Sequence, residues 1–186
     1  MPAPARYWPT ALPLSSPELG DLSTTDTVTE TLQPNASVQL VTQGVSTQTG
    51  SAHLASTGTV SGFAIFRSGA GQEAVVPLET RQGTFVLAFD NTNGLATGLA
   101  IANFSAQTAQ VNVIVRDDTG AQIGSHIEQL AANGHDSFML ASTWSETGGK
   151  RGTVEFAPPS GASIGVIGIR AIPATGVVTT VPVLAK

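Results

Sequence analysis

The chain has 186 residues, 41% of them apolar, which is enough to build one packed core within the size range of a single β-sandwich. Only 11% of residues are charged and the net charge is −5, so the clustered Lys and Arg that a nucleic-acid surface needs are missing; Lys150-Arg151 is the only adjacent basic pair. The absence of cysteine excludes disulfides, thiolate metal sites and cysteine nucleophiles, and no apolar stretch approaches the ~20 residues of a membrane-spanning helix.

Residues 1–36 hold Pro2, Pro4, Pro9, Pro13, Pro17 and Pro34, together with the polar run Asp21–Glu30. Proline removes strand hydrogen-bond donors and Thr/Ser repeats bury little, so this stretch reads as an extended arm or linker. Within it, Thr27-Val28-Thr29-Glu30-Thr31 alternates as a strand does and is a candidate for addition to the sheet edge of a neighbour. The amino terminus carries no apolar run of the secretory kind. An exported origin therefore implies that the chain is a mature form or a segment of a longer protein, and the segment is preferred.

Residues 37–186 read as strand, turn, strand. His53 lies in a short strand, Ser51–Ser56, with its imidazole expected toward solvent. Period-2 alternation places Phe63 and Ile65 on the apolar face of one strand, and Phe85, Leu87 and Phe89 on that of another. The same pattern puts Val111, Val113 and Val115 on the inner face of residues 109–117. It also pairs Phe138 with Leu140 against Ser137 and Met139. Residues 163–172 form a continuous apolar run suited to a central strand covered on both sides. Val177–Leu184 is β-branched, and Pro182 marks it as an edge or bulged strand.

Turn residues recur at the spacing of a sandwich: Ser68-Gly-Ala-Gly71, Asp90-Asn-Thr-Asn-Gly94, Asp117-Asp-Thr-Gly120, Asn133-Gly134 and Pro158-Pro-Ser-Gly161. Thr143-Trp-Ser-Glu146 has capping-box spacing and predicts one helical turn. The expected fold is all-β, an antiparallel two-sheet β-sandwich of Ig-like or jelly-roll-like type, preceded by the Pro/Thr-rich arm.

From about Val60 onward the chain resembles an uncharacterised β-sandwich module of secreted and cell-surface proteins of soil bacteria. The residues that carry the resemblance are Gly62-Phe-Ala-Ile-Phe-Arg67, Gln72-Glu-Ala-Val-Val-Pro-Leu78, Phe89-Asp-Asn-Thr-Asn-Gly94 with Thr97-Gly98, Asn133-Gly-His135 with Ser137-Phe138, Gly152-Thr-Val-Glu-Phe156, and Gly168-Ile-Arg170 with Val181-Pro-Val183. The resemblance implies an extracellular location beside other modules and no assigned activity. The arm lies outside it.

Chemistry-bearing constellations are few. Gly161-Ala-Ser163-Ile-Gly165 matches the Gly-x-Ser-x-Gly string of serine hydrolases, but a Pro-Pro-Ser turn precedes it and a strand follows, where a nucleophile elbow needs a helix. His126 and Glu128 share a strand face as an acid/base or metal pair without a third ligand at matching spacing, and Glu128 with Glu155 is the weakly supported glycosidase pair. His135, following Asn133-Gly134, reads as a turn residue. Asp90, Asn91 and Asn93 in one turn and Asp117 and Asp118 in another are oxygen-rich calcium candidates, although ordinary turn chemistry explains both. Trp144 is the best candidate for an exposed aromatic, with Tyr7 and Trp8 behind it, and the alternative for Trp144 is a lid over one end of the core.

No catalytic set and no cofactor emerges. The function expected is a non-enzymatic extracellular structural, assembly or adhesion module whose partners are copies of itself or neighbouring modules, joined through the arm at Thr27, Val28 and Thr29. A carbohydrate-binding module using Trp144 on a polysaccharide is the alternative, and a hydrolase ranks third.

Overall fold

A computed structural model describes residues 5–7, 14–15, 27–42, 51–67, 73–80 and 82–186. The chain divides into two compact units, one of Met1–Trp8 with Ser51–Lys186 and one of Pro9–Gly50. The smaller unit contains β2 (Leu14–Ser15) paired with β3 (Val41–Thr42), and residues 27–33 between them form no regular structure. In the larger unit β1 (Ala5–Tyr7) pairs with β4 (Ala52–Leu54).

The sandwich itself is all-β. One sheet has five strands in the order β10 (Gln122–Leu130), β9 (Ala109–Asp117), β12 (Arg151–Ala157), β7 (Phe85–Asp90) and β15 (Leu184–Ala185). The other has four, in the order β11 (His135–Met139), β8 (Ala96–Asn103), β13 (Ile164–Ile172) and β14 (Val177–Val181). Every pair is antiparallel. A hairpin of β5 (Phe63–Arg67) and β6 (Glu73–Pro77) lies beside β14, where the Thr180 hydroxyl donates to the Val75 carbonyl at 2.7 Å.

Alternation builds the core as expected in β7 and β9, where Phe85, Leu87, Phe89, Val111, Val113 and Val115 are all buried. Each such side chain contributes about 1.5–3 kcal/mol on leaving water. The central strand β13 is buried on both faces from Ile164 to Gly168. Gly168 makes room for this packing, because a Cβ there would run into Leu87 of the opposite sheet and come within 3.1 Å of the Val181 Cβ.

Three expectations are corrected. Phe63 and Ile65 point outward, at 65% and 50% exposure, while Ala64 and Phe66 turn inward. The reason lies across the hairpin: Ala64 sits opposite Val76, which is 2% exposed, and Phe66 sits opposite Ala74. Val177–Val181 is an edge strand, one of the two expected forms, but it stops short of Leu184: Pro182 ends β14, and the chain crosses to form β15 in the other sheet. The capping box does not form either. The short helix α1 (Leu140–Thr143) ends where the box would start, and the 3-10 turn η1 (Ser145–Thr147) follows without a side-chain cap. Among the described residues no helix is long and apolar enough to cross a membrane.

Candidate functional site

The richest side-chain cluster forms where α1 and η1 cross from one sheet to the other and lie against the edge strand β10. Gly124, His126, Glu128 and Leu130 share the inward face of β10. Trp144, between α1 and η1, is 4% exposed and stacks on the His126 ring with centroids 4.9 Å apart and planes 10° from parallel. Its edge meets Phe138 at 5.0 Å and a tilted Phe156 at 6.4 Å. Aromatic pairs in such offset and edge-on arrangements add ~0.5–1.5 kcal/mol beyond their buried area. Trp144 is therefore the lid over the end of the core, and the exposed platform expected of it is not formed. Trp8 and the side chain of Tyr7 lie outside the described residues.

The partner of His126 is Glu146, with Nε2 and Oε1 2.5 Å apart. The two carboxylates around this histidine are perturbed in opposite directions. At Glu146 burial raises the pKa, but its own backbone N–H, the bond from His126 and the charges of His126 and Lys150 outweigh that, and the carboxyl sits below its ordinary range. At Glu128 burial again raises the pKa and the Asp136 carboxylate adds to it, with only His126 opposing, so the carboxyl sits above its ordinary range. The His126–Glu128 pair expected from spacing is thus a neighbourhood; the hydrogen-bonded pair joins residues on different elements. The bond fastens the crossover to β10. Among the described residues no group of three or more His, Asp or Glu side chains is arranged to hold a metal. Glu155 lies on the opposite face of the same sheet, where it holds Arg116 at 3.4 Å and Lys186 at 2.9 Å, so it does not face Glu128.

The calcium candidates come together at one end of the five-stranded sheet. Asp90, Asp117, Asp118 and Arg151 line an open depression of about 450 Å³, because Arg151 is in register with Asp90 and Gly152 with Asp117. One carboxylate oxygen of each aspartate is already engaged. Asp90 Oδ1 accepts from the Thr92 hydroxyl at 2.7 Å and its N–H at 2.9 Å, and these bonds hold its pKa low. Asp117 Oδ1 accepts three donors, the Thr119 hydroxyl and the N–H groups of Thr119 and Ala121, and its carboxyl is likewise held low. Asp118 meets Arg151 at 3.5 Å. Asn91 accepts from the Thr97 N–H and donates to Thr147, tying the turn to η1. Asn93 takes the left-handed conformation, φ 52°, that closes the turn.

The remaining candidates are dispersed. The Gly-x-Ser-x-Gly string is a turn, with Gly161 at φ 80°, running into β13. The Ser163 N–H donates to Ser105 Oγ, while the Ser163 hydroxyl is buried without a partner among the described residues. His53 is exposed on β4, 6.0 Å from the ring of Phe104. His135 is exposed at the start of β11, opposite Ala102. Thr27, Val28 and Thr29 belong to the smaller unit and lie in no strand.

Spacing could not reveal the His126–Glu146 bond, which spans twenty residues and a change of sheet. One signal was available: Gly124 occupies the β10 face two residues before His126, and the Glu146 side chain fills the space its missing Cβ leaves. Comparison with known proteins brought no match, whether to a protein-family model, a curated protein or a solved structure. The likeness to a secreted bacterial module therefore stands on the sequence motifs alone.

Proposed function

We propose that the chain is a non-enzymatic structural or adhesion module of an extracellular or cell-surface protein, and that it associates with copies of itself or with neighbouring modules. The observation that carries this reading is the character of its surface. With 11% charged residues the exterior is hydrated by hydroxyls and amides, which leaves little electrostatic repulsion between copies. The polar groups most suited to chemistry are engaged in bracing: Asp90 and Asp117 within turns, Asn91 on Thr147, and Glu146 on His126. The carbohydrate-binding alternative loses its leading residue, since Trp144 is enclosed by His126 and Phe138.

Light scattering on the full-length chain across a concentration series tests the proposal, with mass expected to rise with concentration. A constant monomer mass would refute self-association and leave binding to neighbouring modules as the remaining form. Removing residues 1–35 is a poor control, because it strips β1 from β4; Val28→Pro blocks strand addition by the arm and leaves that pair in place.

A further inference from the structure

We infer that the outer edge of β5 is a strand-pairing surface for the β5 edge of a second copy, joined antiparallel about a two-fold axis at Ile65. This inference rests on the self-association proposed above and names the surface responsible. Exposed strand edges are templates for pairing with other chains, and natural sheets block them with bulges, inward charges, short strands or covering segments. β10 has a register shift between Gln122 and Gly124 and carries His126 and Glu128 on its inward face. On β11, the Asn103 N–H donates to the Gly134 carbonyl, which fixes the alternation so that the Ser137 N–H points to the open side; there Asp136 Oδ1 takes it at 2.6 Å. β14 is covered by the hairpin through Thr180 and Val75. β15 is two residues long.

Among the described residues β5 has none of these devices. The Leu78 N–H donates to the Gly62 carbonyl, so Gly62, Ala64 and Phe66 exchange bonds with β6 while the N–H and C=O of Phe63 and Ile65 face away from it. The Val75 carbonyl, outward on β6 by the same alternation, does accept from Thr180, as the register requires. Those two open residues carry the exposed side chains. Phe63 and Ile65, with Val75 at 47% exposure and Pro77 across the hairpin, form an apolar strip of the kind that marks interaction sites.

The strand is self-complementary. A two-fold axis at Ile65 places Ile65 opposite its own copy and Phe63 opposite Arg67 of the second copy, so no like charges meet. Phe63, Ile65 and, by the same alternation, Arg67 then find backbone partners. So short an interface falls below the standard size, and a weak dimer is expected.

The test uses the full-length chain. Ile65→Lys sets two cations against each other at an exposed position and is expected to weaken association at least about tenfold. Because the chain has no cysteine, Ile65→Cys should give a disulfide-linked dimer on mild oxidation, and Ile127→Cys on the guarded β10 edge should not. Amide exchange at Phe63 and Ile65 should slow with rising concentration, whereas Ala64 and Phe66 should be protected throughout. If association persists unchanged in Ile65→Lys, or is lost in Val28→Pro instead, this edge is not the interface although self-association stands. A wild-type chain that stays monomeric overturns both.

Discussion

A single methyl group at Gly124 tests whether the His126–Glu146 bond fastens the crossover. An added Cβ would collide with Glu146 Oε1 and lie 3.0 Å from its Cδ and 3.2 Å from its Cγ. The obstructing atoms are the end of a flexible side chain, so the carboxylate swings away at little steric cost and leaves His126. Both side chains are less than a third exposed, and a charge-assisted bond of this kind contributes ~1.5–3 kcal/mol. Gly124 has no positive φ, so alanine also gains ~0.4–1 kcal/mol by restricting the unfolded chain. Gly124→Ala should therefore destabilise by ~1–2 kcal/mol in urea unfolding at pH 7. In a Glu146→Ala background the clash and the bond are both gone, and the same substitution should become neutral or mildly stabilising. An equal loss in both backgrounds would refute the account, since the cost would then come from the backbone and not from Glu146.

The two carboxylates predict opposite pH behaviour. Glu146 is held low, so its contribution is present above its unfolded pKa and lost as pH falls through the lower folded value; Glu146→Gln should flatten the acid limb of the stability profile. Glu128 is held high, so the wild type loses stability as pH rises through its folded value; Glu128→Gln should be more stable than wild type above that pH and equal to it in acid. Thermal melts from pH 3 to 8 read both. Gly152→Ala should cost more than Gly124→Ala, because its Cβ would meet the Arg116 carbonyl on β9, which moves only if the β9–β12 ladder opens. A melting temperature within a degree of wild type would show that the ladder yields.

Much of the sandwich was legible because its strands carry one apolar face each. Val111, Val113 and Val115 alternate with Gln110 and Asn112, so only one orientation buries the valines. β5 was not legible in this way. Phe63 and Ile65 on one face compete with Ala64 and Phe66 on the other, and periodicity cannot choose between two apolar faces; the partner strand decides. Among the described residues turns were readable residue by residue, as with Gly120 at φ 86° after Asp117, because their chemistry is local; the predicted turn at residues 68–71 lies outside the described residues. The His126 site was not, because its members come from β10, the loop after α1, and η1, brought together only by the crossing between sheets.

That repeated crossing has a consequence for how the chain reaches its native state. β7 is flanked by β12 and β15, so Val86 must find both Glu155 and Leu184, each far along the chain. Loop-closure entropy must be overcome before such distant contacts return any stabilisation, and folding should be correspondingly slow. During synthesis the five-stranded sheet stays incomplete until Leu184 is available, and until then the flank of β7 destined for β15 has no partner in that sheet.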